Sequence, residues 1–206
     1  MRYLLLLMSL IALNSYSQVS FGPKAGLVLT TIEGSEPGQY ETKSKFSFYG
    51  GGFLEYKISK FAMDLDVNFA VEGSKGKNRY QQNFDDAPLF FDSTLNIYAV
   101  NFNFTGKYYV LDDFVLKGGA YYGTIIKVKY EVDGGSLFNG RQDVSDSFEK
   151  SDYGLVVGTE YNLTDKFFIE AKYALGLKNI RKDDPIAGEI ELKNRVLFIG
   201  VGYKIN

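Results

Sequence analysis

The sequence predicts an all-β fold: an eight-stranded, antiparallel, up-and-down β-barrel that crosses a membrane with its strands. Three observations carry this. Apolar residues recur at every second position over eight segments, the spacing of a strand whose alternate side chains point to opposite faces. The connections between segments alternate short and long, so an up-and-down topology gathers the short turns at one end and the long loops at the other. At the short-turn end every segment carries an aromatic on its apolar face, which reads as an interfacial girdle.

Taken in order, residues 1–17 read as a cleaved secretory signal. Arg2 supplies the positive end, Leu4 to Leu13 the apolar core, and Ser15-Tyr16-Ser17 a small-x-small cleavage site. Residues 18–206 then form the barrel, with strands near 20–30, 46–58, 61–72, 95–110, 114–130, 152–162, 167–178 and 195–205. In the third, Phe61, Met63, Leu65, Val67, Phe69 and Val71 alternate with Ala62, Asp64, Asp66, Asn68, Ala70 and Glu72. The seventh sets Phe167, Ile169, Ala171, Tyr173 and Leu175 against Phe168, Glu170, Lys172, Ala174 and Gly176. The last sets Leu197, Ile199, Val201, Tyr203 and Ile205 against Gly200, Gly202 and Lys204. Tight turns fall at Ser59-Lys60, Leu111-Asp112-Asp113 and Leu163 to Lys166, and long polar loops near 31–45, 73–94, 131–151 and 179–194. The girdle is Phe21, Tyr56, Phe61, Tyr108, Phe114, Tyr161, Phe167 and Tyr203, on the periplasmic side. A less complete ring toward the long loops includes Phe48, Tyr98, Tyr130 and Tyr153.

The remaining question is which face points inward. A soluble, ligand-binding barrel of the lipocalin type buries its apolar face. Here the opposite face is rich in glycine, including Gly22, Gly26, Gly51, Gly119, Gly154, Gly200 and Gly202, which suits a narrow interior where something must pack closely. The same face carries both signs of charge. Lys24, Glu55, Asp64, Asp66, Lys107, Lys117, Glu160, Glu170 and Lys172 form an expected lumen network, with Lys57, Lys127 and Lys204 on the same side. Turned to lipid, each basic residue would cost roughly 2–4 kcal/mol near the midplane. Charges inside and apolar side chains outside is the reading.

Composition narrows the chemistry. The chain has no Cys and no His, which removes thiolate sites, disulfides and the commonest general base. A formal charge of −2 argues against a nucleic-acid partner, and there is no run of 18 apolar residues for a helical span. Asp64 and Asp66 share a face at a spacing that could serve acid–base work or hold a cation, but pairing with interior lysines is the simpler role. The glycines at 50–52 and 118–123 neither open a helix nor precede the Lys-Ser/Thr of a phosphate loop. A calcium site in the acidic fourth loop competes with plain solvated charge. No catalytic residue, cofactor or metal site is expected, and the protein is read as a non-enzyme.

Several stretches together resemble a known family. F-G-P-K-A-G-L from Phe21, G-G-G-F-L-E-Y-K-I from Gly50, D-Y-G-L-V-V-G-T-E-Y-N-L from Asp152, F-F-I-E-A-K-Y-A-L-G-L-K-N-I from Phe167 and F-I-G-V-G-Y-K-I from Phe198 look like the PorT-like family. These are small outer-membrane β-barrel proteins, also labelled porin-family. The resemblance implies an outer-membrane location, both termini periplasmic, and insertion by the barrel-assembly machinery, which reads the last strand. That strand departs from the usual aromatic ending by closing on Tyr203-Lys204-Ile205-Asn206. The expected function is a monomeric surface barrel in contact with outer-membrane lipid, whose four long loops bind a protein partner in an envelope or secretion-assembly role. A narrow channel for small solutes is the alternative.

Overall fold

The computed structural model describes residues 18–34, 41–80, 89–133, 139–182 and 191–205. The expected signal, residues 1–17, lies outside them. Among the described residues ten strands form one antiparallel sheet: β1 (Val19–Gly34), β2 (Glu41–Lys43), β3 (Lys45–Ile58), β4 (Phe61–Tyr80), β5 (Leu89–Tyr109), β6 (Phe114–Asp133), β7 (Asn139–Asp143), β8 (Ser151–Asn162), β9 (Phe167–Gly176) and β10 (Leu192–Tyr203). Eight of them close a ring in the order β1-β3-β4-β5-β6-β8-β9-β10, and β10 pairs back to β1 from Lys24↔Gly202 to Gly34↔Leu192. The short β2 and β7 lie off the ring, on the margins of β4 and β6.

The ring's orientation follows from burial. Phe46, Phe48 and Met63 stand 73–74% exposed on the outer face, while the charged residues that alternate with the apolar ones are buried. A soluble barrel would have to hold this apolar surface in water, where a contiguous patch drives association. The fold is therefore the eight-stranded transmembrane barrel, with its polar face inside.

The strands run further than the period-two pattern marks them. β4 continues through Tyr80, and β5 starts at Leu89, so most of the expected 73–94 loop is a paired hairpin. The 131–151 loop likewise contains the end of β6, β7 and a 3-10 turn at Ser145–Ser147. Backbone pairing outside the lipid needs no alternation of side chains, because both faces meet water.

A β-bulge changes two assignments. Tyr98 pairs with Lys127 and Ala99 with Ile125, so Ile126 is an extra residue in β6. An inserted residue reverses the alternation beyond it. Lys127, expected in the lumen, therefore faces outward, nearly half exposed and 3.0 Å from Asp143. Tyr130, expected in the outer ring, turns instead toward the mouth of the barrel beside Leu95, its cross-strand partner.

Four interior rings each stand directly across from a glycine on the neighbouring strand: Phe53 from Gly22, Tyr49 from Gly26, Phe168 from Gly202 and Tyr121 from Gly154. A Cβ at Gly202 would fall inside the Phe168 ring, and one at Gly200 would collide with the Tyr49 hydroxyl. Glycine is required there by the ring it faces. The interior is layered. Ala62, Tyr109 and Val115 cluster near the short turns, and a second cluster holds Val28, Tyr49, Tyr121, Val156 and Phe198. At the opposite mouth Ile32, Ile97, Ile125, Val128, Phe148 and Ile180 form an apolar cap.

Candidate functional site

The lumen is filled by one connected set of ion pairs. Lys107 Nζ lies 2.6 Å from Glu55, 2.8 Å from Glu160 and 3.4 Å from Asp64. Lys117 links Asp64 at 3.3 Å to Glu170 at 3.0 Å. Lys24 bridges Asp66 at 2.6 Å and Glu170 at 2.9 Å, and Lys172 reaches the same two at 2.9 and 3.8 Å. Lys204 adds a contact of 3.5 Å to Glu160. Five carboxylates (Glu55, Asp64, Asp66, Glu160 and Glu170) thus face five ammonium groups (Lys24, Lys107, Lys117, Lys172 and Lys204), and the set is neutral. The nine residues expected in the lumen all lie within it, each no more than 5% exposed.

These positions follow from the strands. Asp64 and Asp66 are alternate residues of β4, Glu170 and Lys172 of β9, and Lys107 and Lys117 are direct partners across β5 and β6. Neutral donors complete the carboxylates. Asn68 and Asn103 each donate to Asp66 Oδ1 at 2.6 Å, Tyr109 to Glu55 at 2.6 Å, and Tyr49 to Glu170 at 3.0 Å. Asp64 and Asp66 therefore meet lysines from other strands and do not stand as a free carboxylate pair. Among the described residues no group of three or more acidic, His or Cys side chains could hold a metal ion. The core of the acidic fourth loop, residues 183–190, lies outside them.

Above the ion pairs is a second polar layer that sequence reading did not single out. Asn194 Nδ2 donates to Glu72 Oε2 at 3.2 Å and to Asp152 Oδ2 at 3.0 Å, while Asn101 and Tyr121 donate to the same two acids at 2.7 and 2.8 Å. Glu72 was visible as the last polar residue of its strand. Asp152 opens a strand, where period two gives little guidance.

On the outside, Phe21, Tyr56, Phe61, Tyr108, Phe114, Tyr161, Phe167 and Tyr203 all point away from the lumen. Phe61 packs at a tilt against Tyr108 and Phe167 against Tyr203, with ring centroids 5.1 and 5.0 Å apart. Phe114 and Tyr161 are cross-strand partners. Near the far margin Phe48, Tyr98 and Tyr153 also face outward. Beyond it, Lys43, Lys75, Asp92, Glu131 and Arg141 line an open groove of about 780 Å³, in which Arg141 pairs with Glu131 at 2.7 Å. There the Asp143 carboxyl is held down at a pKa of about 2, first by the Ser145 hydroxyl and then by Lys127.

Comparison with known proteins places this architecture. A family described as outer membrane protein beta-barrel domain matches residues 3–204. Among solved structures, the attachment invasion locus protein Ail of Yersinia pestis, in complex with the heparin analogue sucrose octasulfate, is similar at 16% identity and a TM-score of 0.49. That match covers 91% of this chain and 99% of the other. Neisserial surface protein A is similar at 16% identity and a TM-score of 0.45, over 91% of this chain and 97% of that one. No curated protein matches the chain in sequence.

Proposed function

Because the chain belongs to the outer membrane protein beta-barrel domain family, we propose that it is a non-enzymatic surface barrel, of the PorT-like kind, that presents its outer hairpins to a protein partner. In this reading residues 1–17 direct export, the barrel-assembly machinery inserts the chain as a monomer, and the partner belongs to the envelope or to a secretion assembly. One observation supports it most. The lumen is occupied by a neutral, hydrogen-bonded network of buried side chains, which leaves the barrel to act as a rigid post. Strands that extend beyond the lipid then supply the surface. An eight-stranded barrel is only wide enough for its own side chains, in agreement with this role.

Two measurements test the reading together. In planar bilayers the purified full chain is expected to give no discrete conductance steps. A photo-crosslinker at Arg141 or Lys77 in intact cells is expected to give a single defined protein adduct. Reproducible steps that Lys107→Met enlarges would overturn the proposal in favour of a narrow solute channel. A bilayer without steps and cells without an adduct from either position would remove the partner from it.

A further inference from the structure

We propose that the outer mouth of the barrel is a binding site for a small amphipathic anion, its apolar body on Leu95, Val144, Phe148 and Leu192 and its charged head on Arg181. These residues line a cavity of about 390 Å³, within the size range of ligand pockets, and an apolar wall with a few convergent polar groups is their usual chemistry.

Three features make this a built site rather than a gap. The floor is rigid: Phe148 belongs to the apolar cap with Ile32, Ile97, Ile125, Val128 and Ile180, and Leu95, Val144 and Leu192 pack on that cap. Ile97 and Ile32 of that cap stand directly across from Glu72 and Asn194, which ties the floor to the polar layer as well. The wall is held by backbone bonds, with Phe148 bridged to Arg181, Ile180 N–H donating to Leu192 at 2.9 Å and Lys182 N–H donating to Ser147 at 3.1 Å. A preorganised wall lowers the ordering cost of binding.

The charge of the lining decides the ligand class. Among the described residues that line the cavity, Arg181 is paired with no carboxylate, while Lys75 stands in the ladder row of Thr94 and Glu131, on the opposite face from Ser74, Leu95 and Tyr130, and belongs to the outer groove. The larger groove outside the hairpin differs, since its lysines and arginine share the lining with Asp92, Glu131 and Asp133. An unpaired guanidinium at the margin of an apolar hollow fits a carboxylate or sulfonate, which it can grip with two parallel hydrogen bonds. A neutral amphiphile would leave that fork unused, and a cationic one would be repelled.

The test uses the full chain in lipid nanodiscs, with Leu and Val methyl resonances assigned. Sodium octanoate is titrated as the probe, with 1-octanol as the uncharged counterpart. The expected result is saturable octanoate shifts at Val144 and Leu192, with octanol weaker by on the order of tenfold. Arg181→Gln should remove most of the difference between the two probes, and Val144→Trp should block both by filling the cavity. The heat-dependent gel shift of each variant reports that its barrel is intact. Equal affinity for octanoate and octanol would overturn the proposal. So would octanoate shifts confined to lipid-facing methyls such as Val157, unchanged in both variants.

Discussion

At the scale of single residues, the interior distinguishes groups that can be lost from groups that cannot. Lys107 meets three carboxylates. Lys107→Met would leave Glu55 with Tyr109 alone, Asp64 with Lys117 and Glu160 with the more distant Lys204, and removing one partner of a buried pair costs about 3–5 kcal/mol. The urea midpoint in a fixed lipid should fall accordingly. The glycines give a second, sharper contrast. Gly200 faces the Tyr49 hydroxyl, which is itself tied to Glu170, whereas a Cβ at Gly118 on the outer face would meet only ordinary contacts. Gly200→Ala should cost about 1–3 kcal/mol by overpacking, and Gly118→Ala should stay within about 0.5 kcal/mol of the parent. Equal losses would mean that the ring does not set the need for glycine. The glycine-rich face itself was legible in the sequence. The aromatic ring opposite each glycine was not, because cross-strand neighbours exist only once the register is known.

At the scale of elements, alternation could be read wherever lipid imposes it. The third strand, Phe61 to Glu72, shows its two faces in plain text, and so does the seventh. Beyond the apolar band the signal fades. Ser74 to Tyr80 pairs with β5 through the backbone ladder, and no alternation of apolar residues in the sequence marks it. The bulge at Ile126 was hidden for a related reason, since Ile-Ile-Lys-Val-Lys reads equally well with or without an extra residue. With it, Lys127 and Tyr130 exchanged the faces that simple alternation assigned them. The strap that follows, β7 and its 3-10 turn, is anchored by Asp143. That carboxyl accepts bonds from the Ser145 backbone N–H and hydroxyl and from Lys127. Its folded pKa of about 2 lies below the ordinary 3.8. The anchor is therefore fully present above pH 3.8 and lost as pH falls through about 2. The Ser145 amide resonance should move over that window and not between pH 5 and 8. Asp143→Asn should give the acid-state shift at neutral pH.

For the whole molecule, the closed ring accounts for the most robust expectation. Every strand of the barrel is paired on both sides, so detergent finds no edge at which to begin. The folded protein should resist SDS without heating and run at a different mobility once boiled. A soluble fold with its faces reversed would show one mobility throughout. The pairing of β1 with β10 joins Lys24 to Gly202 across nearly the whole chain, and this sets the kinetics of assembly. Contacts so distant in sequence are slow to form, so two unpaired margins must wait open while the intervening strands find their places. No shorter piece of this ring is a smaller version of it. Removing β10 would leave β1 and β9 as permanent sticky edges, and the defect would be one of arrival, a nascent chain that never closes, rather than a gradual loss of stability.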